Sequence, residues 1–192
     1  MYAIAIPQYV GRDANGNDMK TLVPAVIGRT AEAKGKKSVS RGPGRQWDEE
    51  AFFAGLTEGV DAARALQAWA RETGLARIVF GKGKDMGAMA FHTDALGTWY
   101  PLFSIWHSGR IELQFSVWKN RPVLRDEARR HAFRERLNQI PGVEIPLDKV
   151  GAFPSMPPSA LEDPAAIAQF TDAFADLVLE LRRASETGSD PV

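Results

Sequence analysis

Three groups of residues in this 192-residue chain have types and spacing that can do chemistry. Asp94 and Glu112 are carboxylates in two stretches with strand patterns, and Gln114 follows Glu112 by two positions, on the same face of an alternating strand. Two carboxylates on adjacent strands can hold Mg²⁺ while a third polar group orients the attacking water in phosphodiester cleavage. Such sites usually take lysine as the third group, and Gln114 stands in its place. The second group is the turn Gly81-Lys82-Gly83-Lys84-Asp85, which can present backbone N–H groups and two ammonium ions to a phosphate. It lacks the spacing and the Lys-Ser/Thr pair of a P-loop, and a hairpin that needs glycine dihedrals reads the same way. The third is the stretch from Lys34 to Arg45, where Lys34, Lys36, Lys37, Arg41 and Arg45 occur without an acid among glycine, serine and proline. That composition predicts a flexible cationic loop.

Little else in the chain competes with these groups. His92, His107 and His131 have no metal-ligand spacing. The absence of cysteine removes disulfides, thiolate metal sites and a cysteine nucleophile, and fits a reducing cytoplasm. No nucleophile elbow, H-E-x-x-H or dinucleotide fingerprint occurs. The first nine residues lack the charged and cleavable parts of an export signal, and no apolar run is long enough to span a bilayer, so no membrane partner is expected. Formal net charge is zero, with 24 bases and 24 acids. Residues 142–192 hold nine acids against Lys149, Arg182 and Arg183, leaving residues 1–141 with six more bases than acids. A bias of that sign beside a glycine turn points to a polyanion such as DNA or RNA, although a solvated surface of mixed charge gives similar counts.

The elements that must position these residues read as an α+β fold: an antiparallel sheet of about four strands flanked by helices, with an N-terminal hairpin. At 44 % hydrophobic content the chain supports one core, so a single domain over residues 1–184 is expected, with 34–45 as its flexible basic loop and 185–192 as a disordered tail. Tyr2 to Val10 and Leu22 to Ile27 supply the hairpin around Asn15-Gly16-Asn17. Asp48 is placed to cap a helix that Gly55 and Gly59 interrupt, and Val60 to Thr73 forms a second helix ended by Gly74. Strands follow at 76–80, 88–93, 100–107 and 110–119. Arg125 to Ile140 is helical up to Pro141-Gly142, and Asp163-Pro164 opens a last helix with Ile167, Phe170, Phe174, Leu177 and Leu181 on one stripe.

Pairing Trp106 with Ile111 across Ser108-Gly109 puts Leu102, Trp106, Ile111, Leu113, Phe115 and Val117 on a core face. Phe103, Ile105, His107, Arg110, Glu112, Gln114 and Trp118 then share the other face, where Phe103, Trp118 and Arg110 can stack unpaired bases unless a helix covers them.

The order of elements, with a helix before the strands and an arginine-bearing helix after them, is similar to the core of PD-(D/E)XK nucleases. Six segments together, Val23 to Glu32, Gln46 to Glu50, Gly81-Lys82-Gly83, Ile111 to Phe115, Leu137 to Gly142 and Pro154 to Pro157, resemble an uncharacterised bacterial domain that follows a PD-(D/E)XK nuclease-like domain. The likeness spans about residues 20–182. It implies a partner of a nuclease whose catalytic carboxylates lie in an upstream domain, and it carries over no site residue. The reading that follows is a non-catalytic, nucleic-acid-associated accessory domain that needs no cofactor, with Lys36, Lys37, Arg41, Lys82, Lys84 and Arg110 on phosphates. One alternative is a Mg²⁺-dependent nuclease using Asp94, Glu112 and Gln114. A second is an interaction or oligomerisation module built on the last helix and the proline-rich segment before it.

Overall fold

A computed structural model describes residues 46–83 and 87–187 in full, and before them the backbone of Arg45 and of four short strands. Contacts divide the chain into two compact units, Met1–Gly42 and Pro43–Val192. In the first, β1 (Ala3–Ala5), β2 (Gln8–Arg12), β3 (Asp18–Leu22) and β4 (Ala25–Ile27) form two antiparallel pairs. β2 pairs with β3 from Gln8↔Leu22 to Arg12↔Asp18, and β1 pairs with β4; a hairpin forms as expected, but its second arm begins at Asp18, inside the expected turn, and Tyr2 to Val10 is split between β1 and β2.

The second unit opens with β5 (Arg45–Gln46) and α1 (Glu49–Gly55). The Asp48 carboxylate accepts from the Ala51 N–H at 2.8 Å, satisfying one of the orphan donors of the first turn. α2 (Val60–Thr73) ends at Gly74, whose left-handed backbone returns its N–H to the Ala70 carbonyl. The strands β6 (Arg77–Phe80), β7 (Lys82–Gly83), β8 (Ala88–Ala95), β9 (Thr98–Trp106) and β10 (Ile111–Leu113) come next. They lead into a helical turn, α3 (Phe115–Trp118), and into α4 (Glu127–Leu137), capped by Asp126. β11 (Ser155–Met156) precedes α5 (Pro164–Thr187), where Asp163 accepts from the Ala165 N–H.

Five strands, not four, make the antiparallel sheet, in the order β11-β10-β9-β8-β6. The fifth comes from the proline-rich segment: Met156 pairs with Ile111 and Ser155 with Glu112. One face of the sheet is dry. Met89, Phe91, Phe103, Ile105, Ile111 and Leu113 are all buried there, beneath Leu66 of α2 and Phe170, Phe174, Leu177 and Leu181 of α5. Phe103 lies at the centre, with its ring 4.3 Å from Phe91, 4.8 Å from Phe174 and 5.1 Å from Phe170. The apolar stripe of α5 is thus the side that faces its own core, and the interaction reading loses that surface.

Three expectations about the sheet are corrected. Ile111 pairs with Ile105 rather than Trp106, because Gly109 takes φ +80° and adds one unpaired residue to the connection. A one-residue shift exchanges the two faces of a strand, so Phe103 and Ile105 turn inward and Trp106 turns outward. A Cβ on Gly109 would stand 2.6 Å from the Glu58 carbonyl oxygen, so the connection needs glycine in both conformation and space. The strand predicted to Lys119 stops at Leu113, and the next residues turn helically. Helical spacing sends Phe115 and Trp118 to the same side, where both are fully buried and Trp118 Nε1 donates to the Pro101 carbonyl. The proposed stacking platform of Phe103 and Trp118 is therefore core. At the C-terminus, residues 185–187 continue α5 instead of fraying, and 188–192 lie outside the described residues.

Candidate functional site

The glycine-lysine turn is held by a part of the chain far away in sequence. β7 pairs with β5, Arg45 opposite Gly83 and Gln46 opposite Lys82. Trp47 completes the attachment: its backbone N–H donates to the Gly81 carbonyl at 3.1 Å, and its indole N–H donates to the Gly83 carbonyl at 3.1 Å. Its ring covers Gly87 so closely that a Cβ there would lie 2.5 Å from it. Only glycine permits that approach. His107 stacks beside the same indole at 6.4 Å, and the His107 backbone N–H donates to the Gly87 carbonyl at 3.0 Å. Lys82 projects from this assembly into solvent. Lys36, Lys37, Arg41 and Lys84 lie outside the described residues, whereas Arg45, the last cation of the basic stretch, is in the ladder with Gly83.

From that turn the outer face of the sheet begins. Ala88 lies opposite Trp106, Ala90 opposite Ser104, and Ser104 opposite Glu112. Alternation puts Ala88, Ala90, Ser104, Trp106 and Glu112 on this one side. Arg110 Nη2 reaches Glu112 Oε2 at 3.2 Å, and its guanidinium lies 5.6 Å from the centre of the Trp106 ring. Gln114 Nε2 lies 3.4 Å from Glu112 Oε1 and 3.5 Å from Ser104 Oγ, both long contacts. Ser104 and Gln114 are buried, and the Glu112 side chain keeps 17 % of its surface exposed. Among the described residues, neither the buried Trp106 indole N–H nor the buried His107 Nδ1 has a hydrogen-bond partner. An unsatisfied buried polar group costs about 1–3 kcal/mol, so each marks a place where an acceptor or donor is wanted.

The other end of the outer face is differently made. Asp94 sits opposite Trp99 near the β8–β9 turn and pairs with Arg77 at 3.3 Å, both side chains more than half exposed. Trp99 is 43 % exposed, with His92 at 5.1 Å and the Arg121 guanidinium at 5.1 Å from its ring. Burial holds His92 below its ordinary pKa by disfavouring the charged ring, the Arg77 cation adds to this, and Asp94 opposes it.

The structure thus brings Glu112, Gln114 and Arg110 together and keeps Asp94 away from them. Asp94 is opposite Trp99 and Glu112 opposite Ser104, five residues apart along β9, or roughly 16 Å, with two strand spacings to add. Mg²⁺ binds oxygen at about 2 Å, so one ion does not reach both carboxylates. Among the described residues no group of three or more histidine, aspartate or glutamate side chains could hold a metal ion. No helix among them is long and apolar enough to cross a membrane. Sequence reading missed Trp47, Ser104 and Trp106 as site residues. For Trp106 the signal was the one-residue register, and for Trp47 a bulky ring two residues after the Lys34 to Arg45 run of cations. Neither a protein-family model nor a curated protein nor a solved structure matches the chain.

Proposed function

We propose that the chain is a nucleic-acid-associated accessory domain that holds backbone phosphates at the glycine-lysine turn. The observation that carries this reading is the β5–β7 ladder, which joins the end of the Lys34 to Arg45 stretch to the Gly81-Lys82-Gly83 turn. The ladder runs the backbone of one cationic stretch alongside the other, Arg45 opposite Gly83 and Gln46 opposite Lys82, and several cations near one strand of nucleic acid are what counterion release needs. Lys82, Lys84 and Arg110 contact phosphates in this reading, and Lys36, Lys37 and Arg41 add to the same cationic stretch. The distance between Asp94 and Glu112 favours a non-catalytic role. In a bacterial cytoplasm the cleavage chemistry would then belong to a nuclease partner or an upstream domain, as the sequence resemblance implies.

Fluorescence anisotropy with labelled DNA over a series of salt concentrations tests this. Affinity is expected to fall steeply with salt, and Lys82→Ala combined with Lys84→Ala reduces the log–log slope by about 1.5–2. Binding that is absent, or that ignores salt, would overturn the proposal.

A further inference from the structure

The outer-face cluster beside the turn has the chemistry to read a base. We infer that Glu112, with Gln114 and Trp106, forms a pocket for the Watson–Crick edge of an unpaired guanine, an inference that rests on the phosphate-binding reading above. The Glu112 carboxylate offers two coplanar acceptors, and its present contacts are replaceable: Arg110 at 3.2 Å, itself half exposed, and the long Gln114 contact at 3.4 Å. Among the bases, guanine alone places two N–H donors side by side on that edge, at N1 and N2, to meet a carboxylate in bidentate fashion. Gln114 and Ser104 are polar and buried directly beside this carboxylate, where they add a donor and a hydroxyl. Trp106 supplies the aromatic surface, and its buried indole N–H has no acceptor among the described residues. Ala88 and Ala90, opposite Trp106 and Ser104, keep the adjoining surface low.

Position supports the same assignment. Gly87 accepts from His107 at 3.0 Å and Ala88 pairs with Trp106, so the lysine turn and the cluster share one end of the sheet. A strand with its phosphates at Lys82 has its bases directed to Trp106. Arg110 then exchanges Glu112 for a phosphate and releases the carboxylate to the base.

The test compares a short oligothymidylate, the same strand with one central guanine, that strand with inosine in its place, and its duplex, all by anisotropy. Guanine is expected to raise affinity about tenfold over thymine in the single strand. Inosine, which lacks the N2 amino group, loses most of that gain, and the duplex shows no preference because its guanine edge is occupied. Glu112→Gln, checked for an unchanged melting temperature, brings the guanine-to-thymine ratio to about one. Salt-dependent binding of every strand with equal affinity would overturn the guanine site and leave the phosphate reading standing. A guanine preference that inosine retains would also overturn it, and binding of no strand at all would overturn both.

Discussion

The two ends of the outer sheet face are built from similar residue types and differ in what holds them. At the turn end, Trp47, Gly87, His107 and Trp106 are tied through main-chain hydrogen bonds, and the polar groups beside them, Ser104 and Gln114, are buried. At the far end, Asp94 and Trp99 are partners in the β8–β9 ladder and Arg77 lies in the next strand, but all three side chains are exposed, and the Asp94–Arg77 ion pair faces solvent. Exposed ion pairs contribute little and are screened by salt, whereas buried polar groups must be satisfied or leave a cost behind. An aromatic beside charges therefore signals a site only where the polar groups next to it are buried.

That contrast can be broken from either side. Trp47→Ala should be the most damaging change, because the indole is buried and donates to Gly83: a loss of about 3 kcal/mol in urea unfolding is expected, and a loss below about 1 kcal/mol would show the turn to be held by other contacts. A smaller effect belongs to His92 at the far end. Its folded-state pKa lies below the ordinary 6.5, so the unfolded chain takes up a proton first on acidification. Stability is then full above about pH 6.5 and falls as pH drops from there through the folded value. His92→Gln should flatten the melting-temperature profile between about pH 7.5 and 5.5, and an unchanged slope would assign it to other groups. The smallest change is expected for Asp94→Ala, at most about 0.5 kcal/mol by the same urea measurement, since its pair with Arg77 is exposed. A cost above about 2 kcal/mol would mean that the far end is fixed as firmly as the turn end.

The helices were legible because their signals are local. Asp48, Gly74 and Asp163-Pro164 each act on the backbone within a turn, and α1, α2 and α5 begin or end where those residues put them. Strand existence was legible from alternation in the same way. Register was not, since a single residue at Gly109 decides it and no alternating pattern counts turn residues. The fate of Phe115 and Trp118 depends on Phe133 and Phe174, which pack on them from α4 and α5. A Phe-x-x-Trp run satisfies a strand or a helical turn until those partners are known. Of the candidate site, the charges of the turn could be read directly, and Glu112 and Gln114 were found for a chemistry that needed Asp94 beside them. Trp106 escaped because the wrong register placed it in the core.

The β5–β7 ladder also bears on the order in which the unit assembles. Trp47 and Gly83 are 36 residues apart, and α1, α2 and β6 all lie between them. Closing a flexible loop of that length costs about 3 kcal/mol in chain entropy, more than two ladder residues recover unless the helices between have already shortened the path. The ladder is thus a late clasp: it closes once α1 and α2 have packed. The lysine turn is consequently anchored by the part of the sheet that forms last.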